Sequence, residues 1–199
     1  PDSLLELSES VLSNNADFGV AFDGDGDRSI FVDNLGKIYW GDQSGSILAD
    51  HILSTNSNST IVTTVSTSQL IDYVSKKNNG NVIRTRVGSV DVSRSMIEHN
   101  AIFGLEENGG CFYSPHIPTR DGGMSTALMA EKLSSDNRTL SEIFSDGSIL
   151  IEEGVFGRLM YFDSAGDLIW KYINRSKNNK LYRLNWSRVY ENIDNELIL

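Results

Sequence analysis

Residues 18–28 read FGVAFDGDGDR, an apolar run that passes directly into a loop of alternating aspartate and glycine. The run from Phe18 to Phe22 predicts a short buried strand. The Asp-Gly pairs end it, because glycine lets the backbone bend without a Cβ penalty. Residues 29–33 and 37–40 then predict a hairpin around the turn at residues 34–36. The aspartate loop is therefore predicted to join two strands.

The aspartate loop carries three carboxylates at strict alternation, on Asp23, Asp25 and Asp27. Alternate side chains on a tightly turning loop can converge on one centre, where a hard divalent cation would relieve their mutual repulsion. No His or Cys accompanies them, so the pattern favours Mg²⁺ over Zn²⁺. An EF-hand is excluded, because Arg28 and Asn34 stand where that loop needs Gly and Glu. A solvent turn rich in Asp and Gly is the structural alternative.

Beyond the hairpin, strand and helix patterns alternate along the chain. The predicted strands are 61–65, 82–87, 101–104 and 111–113, and the predicted helices are 2–12, 43–53, about 69–77, 89–98 and 122–133. Helix N-caps are predicted at Asp42, at Thr67 or Ser68, and at Asp121. This alternation predicts a layered α/β fold, in which helices flank a mixed sheet.

The composition is that of an ordinary globular protein, with 39% hydrophobic and 22% charged residues among 199. The formal net charge of −10 argues against a general nucleic-acid binder. No apolar run approaches the roughly 18 residues of a membrane span. The single cysteine, Cys111, excludes an intramolecular disulfide and fits a reducing compartment. We therefore expect a cytoplasmic protein without nucleic-acid or membrane partners.

The composition changes near residue 148. Residues 1–149 carry 20 acidic and 10 basic side chains, whereas residues 150–199 carry seven of each and eight of the 18 aromatic residues. Three short strands are predicted there, at 157–162, 168–173 and 181–186. We therefore expect a small β-rich tail over residues 148–199, to which the sequence assigns no function.

Several segments, taken in order, resemble the α-D-phosphohexomutase family in its archaeal-type form. They are the metal-loop region at 16–28, the helix-opening pair Gly41-Asp42, the segment RTRVGS at 84–89, the sugar-recognition loop GLEENGG at 104–110, and the segment RDGG at 120–123. The resemblance covers about residues 1–145. It implies that residues 1–54 are the back half of the second domain of a four-domain fold, and that residues 55–147 are the third domain.

The resemblance also implies an activity. Members of the family move a phosphoryl group between C1 and C6 of a hexose phosphate through a hexose 1,6-bisphosphate, with Mg²⁺ as cofactor and a phosphoserine of the first domain as donor. Neither a phosphoserine segment nor the phosphate loop of the fourth domain is found in these residues. We therefore expect a fragment, inactive alone, whose partners are a hexose phosphate and the missing first and fourth domains.

Individual roles follow from the same resemblance. It implies Mg²⁺ ligation by Asp23, Asp25 and Asp27, a place near the phosphoserine for Arg28, hydrogen bonds to sugar hydroxyls from Glu106 and Asn108, and a place near the substrate for Arg86. Each role has a structural alternative: a salt bridge for Arg28, a surface acidic pair for Glu106, a turn for Asn108 and an exposed strand position for Arg86. A non-catalytic module that binds Mg²⁺ and sugar phosphate is the second functional hypothesis, and a purely structural domain is the third.

Overall fold

The computed structural model describes residues 2–144, 149–153, 158–162, 168–173 and 196–197. The chain divides into two compact units, Pro1–Ser141 and Glu142–Leu199. Within the described residues, no helix is both long enough and apolar enough to cross a membrane.

The helices and strands that the sequence predicts in the first unit are present, and they follow one another in the predicted order. The helices are α1 (Asp2–Asn14), α2 (Gly41–Thr55), α3 (Leu70–Lys77), α4 (Ser89–Glu98), α5 (Gly122–Ser135) and α6 (Leu140–Phe144). The strands before α6 are β1 (Phe18–Phe22), β2 (Ser29–Asp33), β3 (Ile38–Tyr39), β4 (Thr60–Thr64), β5 (Asn81–Thr85), β6 (Phe103–Leu105), β7 (Cys111–Tyr113) and β8 (Ile117–Arg120). The predicted fold class, a mixed sheet with flanking helices, is confirmed.

The strands of the first unit form two sheets. One is the antiparallel sheet β1-β2-β3, in which Phe22 pairs with Ser29 and the aspartate loop makes the connection. The other has the order β5-β4-β6-β7-β8, with β4 parallel to β5 and β6, and with β7 and β8 antiparallel. The sequence does not predict β8, an edge strand that contains Pro118 and lacks apolar alternation.

One of the three predicted helix caps is confirmed. The Asp121 side chain accepts a hydrogen bond from Met124 N, 2.9 Å away, at the start of α5. The cap at Asp42 is wrong, because Asp42 lies inside the first turn of α2 and accepts a hydrogen bond from Ser68 N at 3.2 Å. The cap at Thr67 or Ser68 is wrong as well, since α3 begins further along the chain.

The sheet that carries the predicted sugar-recognition loop is anchored in the core. Val62 on β4 and Phe112 on β7 pack with Val92 and Met96 of α4, and all four side chains are buried. Because well-packed cores resist displacement, the loop ends that leave β6 and enter β7 have fixed positions.

The second unit contains β9 (Ile149–Glu153), β10 (Arg158–Phe162), β11 (Leu168–Ile173) and β12 (Glu196–Leu197), in the sheet order β12-β11-β10-β9. Neighbours from β9 to β11 are antiparallel, and β12 is parallel to β11. The predicted strands near 157–162 and 168–173 are therefore present. The one predicted at 181–186 lies outside the described residues.

Candidate functional site

The aspartate loop, residues 23–28, brings its three carboxylates together between β1 and β2. Asp23, Asp25 and Asp27 each present an oxygen within 4.8 Å of the others. The loop turns at Gly26, whose φ of +73° is a conformation that favours glycine, and Gly26 N donates to Asp23 O at 3.1 Å. This backbone turn makes the alternate side chains converge.

The first residue of α5 supports the aspartate loop from outside. Gly122 N donates a hydrogen bond to Gly26 O at 3.0 Å. A Cβ atom on Gly122 would lie 2.6 Å from Phe22 Cδ1 and 2.7 Å from Gly26 O, which is too close for any side chain. Glycine at this position therefore lets the helix touch the loop.

Arg28 forms a salt bridge, which is the structural alternative to its predicted place near the phosphoserine. Its Nε lies 2.5 Å from Asp23 Oδ2 and 3.7 Å from Asp27 Oδ1, and its backbone N donates to Asp23 Oδ1 at 3.1 Å. Desolvation alone would raise the pKa of Asp23, but the hydrogen bonds from Arg28 outweigh it and lower that pKa to about 2. The Arg28 side chain is 44% exposed, so a ligand can still reach it.

Of the predicted sugar-recognition segment 104–110, residues 106–110 form the loop that connects β6 to β7, and this loop, called the sugar loop below, closes on itself. Glu106 N donates to Gly110 O at 2.8 Å, and Gly109 N donates to Glu106 O at 3.2 Å. Asn108 Oδ1 accepts a hydrogen bond from Gly110 N at 3.0 Å. Asn108 therefore stabilises the turn through Oδ1, and its Nδ2 is the group that could donate to a ligand.

The two loops are direct neighbours. Ser29 N, one residue beyond the aspartate loop, donates to Gly109 O at 3.1 Å. On the other side, Gly41 at the start of α2 packs so tightly that a Cβ there would overlap Gly109 N and lie 2.6 Å from Glu107 O. The sugar loop is thus wedged between β2 and α2.

Arg120, which the sequence did not predict as a site residue, pairs with both loops. Its Nη2 forms an ion pair with Asp27 Oδ2, and its Nη1 lies 3.1 Å from Glu106 Oε2. It is the last residue of β8, directly before the helix-capping Asp121. The sequence pointed to Arg120 only indirectly. Two acidic loops favour positively charged side chains nearby, and this arginine lies in the RDGG segment that resembles the family.

The two glutamates of the sugar loop have different surroundings. Glu106 is only 2% exposed, and burial raises its pKa even though Arg120 opposes the shift. Glu107 Oε2 accepts hydrogen bonds from Ser66 Oγ at 2.7 Å and Thr64 Oγ1 at 3.2 Å. Glu106 is therefore not part of a surface acidic pair.

Arg86 does not join the other predicted site residues. Its side chain is 88% exposed, and its Nη2 lies 3.1 Å from Asp91 Oδ1. Exposed ion pairs of this kind contribute little stability, so the guanidinium can exchange Asp91 for an anionic ligand. Arg84, by contrast, has a structural role, since it donates to the carbonyl oxygens of Thr64 and Thr67.

The donors and charges around the aspartate loop fit a divalent cation. Asp27 Oδ1 is buried and has no hydrogen-bond donor among the described residues, whereas Oδ2 is held by Arg120. Three loop aspartates and Glu106 face two guanidinium groups, which leaves a formal charge of −2. One divalent cation would neutralise this charge, and the all-oxygen donor set suits Mg²⁺.

Residues 40–148 match the family described as phosphoglucomutase/phosphomannomutase, alpha/beta/alpha domain III. The chain belongs to this family. It is 45% identical over 145 residues to a phosphoglucosamine/phosphogalactosamine mutase of Sulfurisphaera tokodaii, a match that covers 72% of this chain and 32% of that protein. It is 39% identical over 145 residues to a phosphoglucomutase/phosphomannomutase of Thermococcus kodakarensis, covering 73% of this chain and 32% of that protein. The chain thus spans about a third of the length of these relatives.

The fold comparison agrees with the family assignment. A putative phosphomannomutase from Thermus thermophilus superposes with a TM-score of 0.69 at 21% identity, over 84% of this chain and 45% of that chain. At that identity the likeness shows the fold alone. The resemblance of the sequence to phosphohexomutases is confirmed.

A second acidic group lies beside the sugar loop. Asp42 Oδ2 accepts from Ser68 N, while its Oδ1 is buried without a donor among the residues that the structure describes. Desolvation raises the pKa of Asp42 to about 6, and repulsion from Glu107 adds to the shift, whereas Ser68 and Arg84 oppose it. Asp42 is therefore a titrating group near neutral pH.

The shift makes stability depend on pH. Because the pKa of Asp42 is higher in the folded state than in the unfolded state, the contribution of Asp42 to the free energy of unfolding falls as pH rises from about 4 to about 7. Asp42→Asn keeps an acceptor for Ser68 N and stays neutral. We expect it to be about 1–2 kcal/mol more stable than the wild type at about pH 7.5 and equally stable at about pH 4, by urea unfolding. The same pH dependence in both proteins would contradict the shift.

Proposed function

We propose that this chain forms the metal-binding and sugar-binding part of a phosphohexomutase, which moves a phosphoryl group between C1 and C6 of a hexose phosphate through a hexose 1,6-bisphosphate. The observation that carries the proposal is the contact between the aspartate loop and the sugar loop, which Arg120 joins through Asp27 and Glu106. The mutase names of both relatives support it.

Asp23, Asp25 and Asp27 would hold Mg²⁺, since their carboxylate oxygens converge. One of these oxygens, Asp27 Oδ1, has no hydrogen-bond donor within the described part of the chain. Bound there, the cation would neutralise charge on the transferring phosphoryl group. Arg28, partly exposed beside Asp23, would contact the phosphate of the donor serine.

The sugar loop would position the hexose. Asn108 Nδ2 would donate to one hydroxyl, and the Glu106 carboxylate would accept from another. Only 3% of the Glu106 side chain is exposed, so we expect one hydroxyl contact at most from this group. The exposed guanidinium of Arg86 would meet the phosphate that is not being transferred.

The reaction needs a phosphoserine, and the 199 residues contain no segment that resembles the family's phosphoserine motif. We propose that this donor and the remaining phosphate contacts come from outside these residues. Turnover by these residues alone would then be negligible. The relatives' names include glucosamine, galactosamine, glucose and mannose, so the first probes are glucosamine 6-phosphate and glucose 1-phosphate.

The test supplies the missing donor. The chain is mixed with the phosphorylated first domain of a phosphohexomutase, and conversion of each hexose phosphate is followed by ³¹P NMR. We expect slow turnover that requires both proteins and Mg²⁺. Glu106→Gln should lower this turnover at least about tenfold, because it weakens a hydrogen bond to a charged group.

Calorimetry separates the alternatives. Heats of binding for Mg²⁺ and hexose phosphate without turnover in the mixture would favour a non-catalytic binding module. If neither ligand produces heat, the domain is structural and the proposed function is wrong.

A further inference from the structure

A guanidinium group can hold two carboxylates at once because its N–H groups have a fixed fork geometry. Arg120 does this with Asp27 and Glu106, which lie on two loops that connect strands of different sheets. The side chains of Arg120 and Asp27 are each 22% exposed, and Glu106 is almost fully buried, so solvent screens these pairs less than surface pairs.

Gly110 leaves the space that Arg120 needs. A Cβ atom on Gly110 would overlap Arg120 Cδ and lie 3.1 Å from its Cγ. Gly110 also closes the sugar loop through its carbonyl oxygen, which accepts from Glu106 N. The path of the arginine therefore depends on a residue of the loop that it holds.

We propose that Arg120 is a positioning residue that couples the aspartate loop to the sugar loop, so that cation binding at the first and hexose binding at the second depend on each other. The mutual dependence of the two ligands rests on the proposed function, because it requires that each loop binds its ligand. The coupling itself is a property of the folded chain.

The carboxylates of Asp27 and Glu106 share the guanidinium group of Arg120, and this makes the coupling reciprocal. Removing the charge of Glu106 leaves Arg120 to Asp27 alone, and removing the charge of Asp27 leaves it to Glu106 alone. A lysine at position 120 keeps the positive charge, but its compact ammonium group cannot span both partners in the same way. Arg120→Lys therefore separates charge from bridging.

A second connection between the loops must be controlled. The hydrogen bond from Ser29 N to Gly109 O joins them through the backbone and remains in every variant considered. An effect that passes through Arg120 must disappear when Arg120 is replaced, whereas an effect that passes through this backbone bond must persist.

The experiment is amide hydrogen exchange on the Mg²⁺-free chain, measured by NMR. Asp27→Asn is followed at Glu106 N and Gly110 N in the sugar loop, and Glu106→Gln is followed at Gly26 N and Arg28 N in the aspartate loop. Each change is made in the wild type and in Arg120→Lys. Arg94→Met, which removes an exposed arginine of α4, is the matched control background.

In the wild type and in the Arg94→Met background, we expect each single change to speed exchange in the opposite loop about tenfold, because Arg120 loses one of its two anchors and then holds the remaining loop less firmly. In the Arg120→Lys background we expect less than about a twofold change. If each change acts only on its own loop, or acts equally with lysine at position 120, Arg120 does not couple the loops.

This result is independent of the proposed function, because the measurement uses neither Mg²⁺ nor sugar. A chain that binds no Mg²⁺ but shows the exchange pattern would support the coupling and contradict the metal site. A chain that binds Mg²⁺ without the exchange pattern would support the metal site and overturn the coupling.

Discussion

Asp25→Asn is expected to remove the stabilisation that Mg²⁺ gives to this chain, while leaving the metal-free protein at least as stable as the wild type. The loss of stability with Mg²⁺ and the unchanged or higher stability without it have the same cause, which is the closeness of the three carboxylates. The oxygens of three carboxylates lie within 4.8 Å of one another, and Asp25 is the exposed member. Without a cation, replacing one charge relieves repulsion of up to about 1 kcal/mol. With a cation, the same replacement removes a ligand.

The measurement is thermal and urea unfolding with and without Mg²⁺. At about 100 times its Kd, a ligand that binds only the folded state adds about 2.7 kcal/mol to the free energy of unfolding. We expect this increment in the wild type and less than about 0.5 kcal/mol of it in Asp25→Asn. Asp17→Asn is the matched control, because Asp17 is exposed and lies outside the cluster. Equal stabilisation of all three proteins would place the cation elsewhere.

The aspartate loop could be predicted because its determinants are local. An apolar strand, three alternating carboxylates and glycines that permit the turn all lie within residues 18–28. The structure adds the support from Gly122, whose contact with Gly26 depends on where α5 begins. The convergence of side chains therefore follows from the sequence, whereas the packing that holds the loop does not.

Arg120 could not be predicted, because its partners lie far away in sequence. Asp27 lies on a loop of the first sheet and Glu106 on a loop of the second, and the arginine reaches both from β8. The polar, proline-containing pattern of β8 predicts no strand. Without that strand and its pairing with β7, the sequence offers no reason to place residue 120 between the loops.

The helix caps show the same limit on a smaller scale. Asp121 caps α5 through an amide three residues away, so the local rule suffices. Asp42 and Thr67 are also of residue types that favour the N-cap position. Other partners engage them instead: Ser68 N donates to Asp42 from a distant part of the chain, and Thr67 Oγ1 accepts a hydrogen bond from Thr63 Oγ1 of β4 at 2.7 Å.

Gly41→Ala is expected to destabilise the chain by about 2 kcal/mol, although alanine is the better helix former. The new Cβ would overlap Gly109 N and lie 2.6 Å from Glu107 O, and both are backbone atoms that no rotamer change can move away. Overpacking of this kind costs about 1–3 kcal/mol, which outweighs a gain in helix propensity of up to about 1 kcal/mol. Relief requires either α2 or the sugar loop to move.

Gly123→Ala is the control, because Gly123 lies in the first turn of α5, is exposed, and would place its Cβ no closer than 3.3 Å to its nearest contact, Asp121 Oδ1. We expect this variant to match the wild type within about 0.5 kcal/mol in urea unfolding. If Gly41→Ala is as stable as Gly123→Ala, α2 does not clamp the sugar loop. If it is less stable and also loses hexose-phosphate binding while keeping Mg²⁺ binding, the contact between Gly41 and Gly109 sets the position of the sugar loop without shaping the aspartate loop.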